Sequence, residues 1–228
     1  MLKITHAAGH AGVTPGKRSP DGYTEWQVTS EIVKLVMLEL ENYEQVIQKR
    51  IDDSTGKIDI PLKNRCELVN DWGANVHIDY HLNAYGSGWN NAGGIETYTY
   101  TTKPKEAAQL AEKIQKNLVV ELGFRNRGVK TADFQILRET KMTAILIEFA
   151  FMTNQHEAMK MRTAQYQKKA AKAVVDALAA QYRLKKKQVV SAGTLYRVQV
   201  GAFSDINTAN DLAEELKAKG YPAIIAAL

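Results

Sequence analysis

Three features of this 228-residue chain predict an α/β fold, with a mixed central sheet covered by helices on both faces and followed by a small β-α-β unit. Apolar residues recur at helical spacing in three long stretches. Between these stretches lie short segments with strand character, one of them too apolar for a surface strand. A basic break near residue 185 then separates the last 35 residues from the rest.

The elements follow in order. "MLKITHAAGH" opens as a strand running into a loop. In 26–42, Val28, Ile32, Leu35, Val36 and Leu40 fall mostly on one helical face, and a second helix follows Pro61. "VHIDYHLNA" alternates, so Val76, Ile78, Tyr80 and Leu82 point one way and His77, Asp79, His81 and Asn83 the other. "GGIETYTYT" reads as another strand. "PKEAAQLAEKIQKNLVVELG" is a helix with Pro104 near its start and Gly123 as its stop. "TAILIEFAF" suits the middle of a covered sheet. "TAQYQKKAAKAVVDALAAQYRL" places Ala171, Val174, Val175, Leu178 and Tyr182 in helical register. Strands alternating with helices of this length argue for an α/β domain over residues 1–184.

The stretch 185–193 reads as a linker. Beyond it, 194–228 reads as strand, helix, strand: "LYRVQVGAF", a helix capped by Ser204 or Asp205 and stopped by Gly220, and "YPAIIAAL". No matching repeat occurs elsewhere in the chain.

Composition narrows the function classes. The single cysteine, Cys66, excludes an internal disulfide and a cysteine-rich zinc site, and its helical surroundings make it a packing residue. No apolar run approaches the roughly 18 residues of a spanning helix, so membrane insertion is not expected. The opening residues show no signal-peptide pattern, which implies synthesis in the cytosol. A net charge of +5 and a pI near 9.1 suit a polyanionic partner. Nucleic acid is not expected, because no helix-turn-helix, zinc-finger or RNP motif is present. An anionic cell wall would use the same electrostatics.

Candidate chemistry gathers at two histidines among small residues, His10 in "GHAG" and His81 in "HLNA". A catalytic zinc wants three protein ligands and one open position. Glu25, just before the first long helix, can turn inward as a charged third ligand. Glu148 sits in an apolar strand, where an unpaired carboxylate is costly and needs a partner or a task. His6, inside the first strand, reads as structural. His77 lies about 13 Å from His81 along the strand, too far to share an ion. His156 is assigned no role.

Over roughly residues 2–182 the chain resembles the zinc-dependent N-acetylmuramoyl-L-alanine amidases of the Amidase_3 type, found in bacterial autolysins and phage endolysins. "GHAG" matches the family's Gly-His-Gly-Gly loop, and Glu25 in "DGYTEWQVT" its Glu before the first helix. "DYHLNA" matches the Ser-Ile-His-x-Asn-Ala strand end, and "NRGVKTADFQILRET" the Asn-Arg-Gly-Val-Lys stretch. "LIEFAFMTN" matches the final Leu-Val-Glu-x-Gly-Phe segment. The chain departs from the pattern with "HAAGH" in place of Asp-Pro before the Gly-His, and with Ala11 and Ala150 in place of glycines. The resemblance implies that His10, Glu25 and His81 hold Zn2+ and that Glu148 is the catalytic carboxylate. The implied reaction is hydrolysis of the amide between N-acetylmuramic acid and the L-alanine of the stem peptide in peptidoglycan. The setting it implies is a phage endolysin or a mother-cell autolysin, reaching the wall after release from the cytoplasm. A wall-binding protein without activity, or a zinc peptidase cutting within the stem peptide, are the alternatives.

The tail resembles half of a SPOR-type wall-binding repeat. A complete SPOR fold holds two β-α-β halves, so this half is expected to pair with that of a second chain as a homodimer.

Overall fold

The computed structural model describes residues 1–188, 199–221 and 223–226. The chain divides into two compact units, Met1–Lys187 and Gln188–Leu228.

The first unit is built on six strands: β1 (Leu2–Ala8), β2 (Val46–Arg50), β3 (Val76–Asn83), β4 (Ile95–Thr99), β5 (Asn126–Thr131) and β6 (Thr143–Phe151). They form one sheet in the order β2-β1-β3-β6-β4-β5. β1, β2, β3 and β6 run parallel, whereas β4 meets β6 antiparallel and carries β5 parallel to itself. The sheet is therefore mixed, with the reversal between β6 and β4.

Six helices belong to this unit: α1 (Glu25–Leu40), α2 (Leu62–Asp71), α3 (Lys105–Leu122), α4 (Gln135–Glu139), α5 (Gln155–Met161) and α6 (Ala164–Tyr182). Thr24 starts α1 with a reciprocal capping box, its side chain accepting from the Gln27 N–H while Gln27 reaches back to the Thr24 N–H. Val28, Ile32, Val33, Val36 and Leu40 are then fully buried. α3 ends at Gly123, whose φ of 70° is the left-handed stop the sequence implies. In α6 the Tyr166 hydroxyl donates to the Phe149 carbonyl at 2.7 Å, tying the helix to β6.

Strand alternation sorts the side chains onto two faces. Ile4, Val76, Ile78, Tyr80, Ile145, Ile147 and Phe149 pack with α1, α3 and α6 in one large apolar core. At about 1.5–3 kcal/mol per buried large side chain, this core is the main stabilising element. The other face meets α2 and α4 in two smaller clusters, one around Cys66, Ile136, Leu137 and Leu146 and one around Ala7, Ile51 and Val69. Cys66 is buried as expected, and burial pushes its thiol up to about 11.

The 185–228 reading meets the structure in part. Residues 185–187, expected as linker, are pinned to the first unit: the Lys185 carbonyl accepts from Glu44 and the Lys187 N–H donates to Asn42. Gln188 is exposed without regular structure, and the rest of the expected linker, 189–193, lies outside the described residues. In the second unit the expected helix is present as α7 (Ile206–Ala218), capped by Asp205. Of the flanking strands expected at 195–203 and 221–228, the described residues 199–203, 221 and 223–226 carry no strand, and 195–198, 222, 227 and 228 lie outside the described residues.

Candidate active site

β1 ends at Ala8, and the chain turns through Gly9 and His10. His10 has a φ of 58°, a left-handed conformation that costs a non-glycine residue about 1 kcal/mol and is held only where surroundings dictate it. Here Arg65 of α2 does so, its guanidinium donating to the Ala8 carbonyl at 2.8 Å and the His10 carbonyl at 2.9 Å. The next N–H, of Ala11, donates to Thr14 Oγ1 at 2.8 Å.

Glu25 is the first residue of α1 and is only 2% exposed. A carboxylate at this helix end is favoured by the backbone dipoles. Its Oε1 lies 2.8 Å from His81 Nδ1 and accepts from the Leu82 N–H at 3.1 Å, while its Oε2 lies 3.6 Å from His10 Nε2. One ligand atom from each of His10, Glu25 and His81 falls within 4.8 Å of the others. The three residues set apart by sequence thus converge from a loop, a helix start and a strand.

The donor set fits a metal ion. Two imidazoles and a carboxylate match the ligand types of a catalytic zinc. Burial opposes the charged form of His81, but the carboxylates of Asp79 and Glu25 outweigh it and hold its pKa well above the ordinary value. Asp79 Oδ2 lies 3.4 Å from His81 Nε2, so the ring keeps Nδ1 toward Glu25, as an outer carboxylate orients a ligating histidine. Gly9 leaves the space for this cluster: a Cβ there would stand 2.5 Å from His81 Nδ1 and 2.7 Å from Glu25 Oε1.

Glu148 stands beside the cluster. It is directly opposite His81 across the β3–β6 pair and opposite Glu96 across β6–β4, and Glu96 is in turn opposite Gly128 of β5. His81, Glu148 and Glu96 therefore form a row on one face of the sheet. Glu148 Oε2 is buried with no hydrogen-bond partner among the described residues. Burial pushes its pKa up to about 8, reinforced by Glu25, Glu96 and Asp79 and opposed by His81. A carboxyl group so placed can take and return a proton near neutral pH.

The remaining histidines behave as the sequence implies. His6 is fully buried, with Nδ1 2.9 Å from the Tyr80 hydroxyl, and His77 is fully buried against Thr5 Oγ1 at 3.0 Å. Neither belongs to the candidate ligand cluster. Sequence reasoning missed Asp79 and Arg65 as supports. Asp79 had a signal, since it shares the His81 face two residues away. Arg65, on a helix 55 residues from His10, had none.

The profile of the Amidase_3 family, N-acetylmuramoyl-L-alanine amidase, matches residues 4–180, and that of the SPOR domain matches residues 164–227. The SPOR match thus begins at the start of α6, thirty residues before the half repeat expected from residue 194. The chain is 32% identical to the N-acetylmuramoyl-L-alanine amidase CwlM of Bacillus licheniformis, over 99% of this chain and 85% of that protein. It is 29% identical to a sporulation-specific N-acetylmuramoyl-L-alanine amidase of Bacillus subtilis, over 99% of this chain and 84% of the relative. Among solved structures, an N-acetylmuramoyl-L-alanine amidase from Clostridium difficile 630 superposes with a TM-score of 0.74 at 30% identity, covering 80% of this chain and 97% of that one. With a profile match over most of its length and the candidate ligand cluster assembled in that fold, the chain belongs to the Amidase_3 family of N-acetylmuramoyl-L-alanine amidases and carries a SPOR domain at its C-terminal end.

Proposed function

We propose that this protein is a zinc-dependent peptidoglycan amidase that cleaves the bond between N-acetylmuramic acid and the L-alanine of the stem peptide. The observation that carries the reading is the His10–Glu25–His81 cluster with Glu148 directly opposite His81, its Oε2 unpartnered among the described residues.

His10, Glu25 and His81 would hold the zinc, which when bound supplies Lewis-acid activation of water and of the scissile carbonyl. Glu148 takes a proton from the attacking water at Oε2 and returns it to the leaving amine of L-alanine. Asp79 fixes the His81 ring, and Arg65 fixes the loop that presents His10. Each of these side chains is in place before substrate arrives, which lowers the cost of orientation.

Likeness along nearly its whole length to a sporulation-specific amidase supports action as a mother-cell autolysin, on wall reached after release from the cytoplasm. A phage endolysin is the other setting. The tail supports a homodimer: α7 buries only Ala213, and Phe203, Ile206 and Tyr221 are exposed. Light scattering at tens of micromolar should give a dimer for the full chain and a monomer for residues 1–187, and two monomers would reject the pairing.

Digestion of purified wall followed by mass spectrometry tests the reaction. New free N-terminal L-alanine that disappears on chelation and returns with zinc is expected. New ends inside the stem peptide would make the protein a peptidase, and no new ends a wall-binding protein.

A further inference from the structure

The row of the active site continues past Glu148 into a second charged cluster that the reaction leaves unused. Glu96 is 1% exposed, and both its oxygens are engaged. Oε1 accepts from Asn83 Nδ2 at 2.5 Å and from the Tyr98 hydroxyl at 2.8 Å. Oε2 accepts from Arg127 Nε at 2.6 Å and from Lys130 Nζ. Two cations thus share one buried carboxylate, leaving a surplus of one positive charge on side chains that are 26% and 38% exposed.

Arg127 is the more constrained of the two. Its guanidinium carbon lies 4.8 Å from the centre of the Phe151 ring, and its Nε is anchored on Glu96. Among the described residues its terminal Nη1 and Nη2 find no acceptor. A guanidinium fixed by its inner edge and backed by an aromatic ring presents its outer fork preset for a planar, two-oxygen anion.

We propose that Arg127 is a specificity residue that receives a carboxylate on the peptide arm of the substrate, with Lys130 adding charge beside it. This rests on the amidase reading above. Chemistry selects the peptide arm, because the lactyl carboxyl of the glycan is consumed in the scissile amide and the sugars otherwise offer hydroxyl and acetamido groups. Length agrees: Glu148 and β5 are two strand spacings apart, about 10 Å. An extended peptide covers that in about three residues at roughly 3.3–3.6 Å each, so the anion belongs to the second or third residue beyond the sugar.

The test compares two synthetic muramoyl peptides, one with free carboxylates at these residues and one with them amidated. On the acidic substrate Arg127→Gln should raise KM roughly ten- to a hundredfold, the range for a lost hydrogen bond to a charged group, with kcat held within about twofold. On the amidated substrate the same variant should match wild type, and Arg127→Lys should fall between on the acidic one. Wild type alone should prefer the acidic substrate by the same factor, a comparison that needs no variant to fold. Equal losses on both substrates would mean that Arg127 acts only by supporting Glu96, and the proposal fails. If wild type cleaves both substrates equally well, this inference falls while the amidase reading stands. If it cleaves neither, the amidase reading itself falls.

Discussion

The two faces of the sheet divide the labour of the molecule. One carries Ile4, Ile78, Tyr80, Ile147 and Phe149 under α1, α3 and α6, helices of 16, 18 and 19 residues. The other carries Thr5, His77, Asp79, His81, Glu148 and Glu96, and is partly covered by α2 and α4, of 10 and 5 residues. Because side chains alternate along a strand, each strand serves both faces at once. Stability is concentrated on the first, which frees the second to hold buried charge that would otherwise be hard to sustain.

Neighbouring residues of β6 give the sharpest way to break this comparison. Glu148→Gln should lower turnover by a factor on the order of 10²–10⁴, the usual effect of removing a general acid/base, while zinc content and urea stability hold. Normal turnover would leave Glu148 a structural residue. Phe149→Ala, one position on, should do the reverse. It should cost roughly 3–5 kcal/mol of stability for a fully buried aromatic, with activity per folded molecule preserved. Loss of catalysis without loss of stability in that variant would dissolve the distinction between the faces.

Acid should weaken both faces together, because each holds one neutral buried histidine. Burial above all lowers the pKa of His6 to about 3 and of His77 to about 4, against 6.5 for a free side chain. Below 6.5 the unfolded chain binds protons that the folded one refuses, so stability is complete above that pH and falls as the pH drops. The slope is at most about 1.4 kcal/mol per pH unit for each histidine. His77 should cease to contribute near pH 4 and His6 near pH 3. Urea unfolding from pH 7 to 4 measures the slope, and His77→Gln should reduce it.

The smallest expected effect is at the edge of the site. Thr24→Ala removes the side-chain cap of α1 and should cost about 1 kcal/mol. If it also loosens metal binding, the start of α1 sets the position of Glu25, and a stability loss alone would assign that task to the bonds from His81 and Leu82.

What the sequence could disclose follows the same division. The apolar face was legible because periodicity reports burial: all three long helices and β1, β3, β4 and β6 lie where apolar spacing puts them, within a few residues. The edge strands β2 and β5 were not, since "VIQKR" and "NRGVKT" are mostly half-buried or exposed and show no alternation. Their existence depends on a neighbour's backbone groups. A mixed sheet was expected and is found, but the place of its reversal, between β6 and β4, was silent, because the direction of a given strand leaves no mark in composition. His10, Glu25, His81 and Glu148 were singled out as candidates through local motifs. Glu96 and Arg127, 31 residues apart, meet only through the pairing of β4 and β5.

The left-handed backbone of His10 bears on how this protein could be improved or evolved. Glycine adopts that conformation freely, so His10→Gly relieves about 1 kcal/mol of strain while deleting a candidate ligand. A library sorted by heat resistance alone would therefore drift toward inactive members at this position. Only a screen that reads wall lysis keeps the imidazole, and its persistence in any lineage is a record of selection for chemistry over durability.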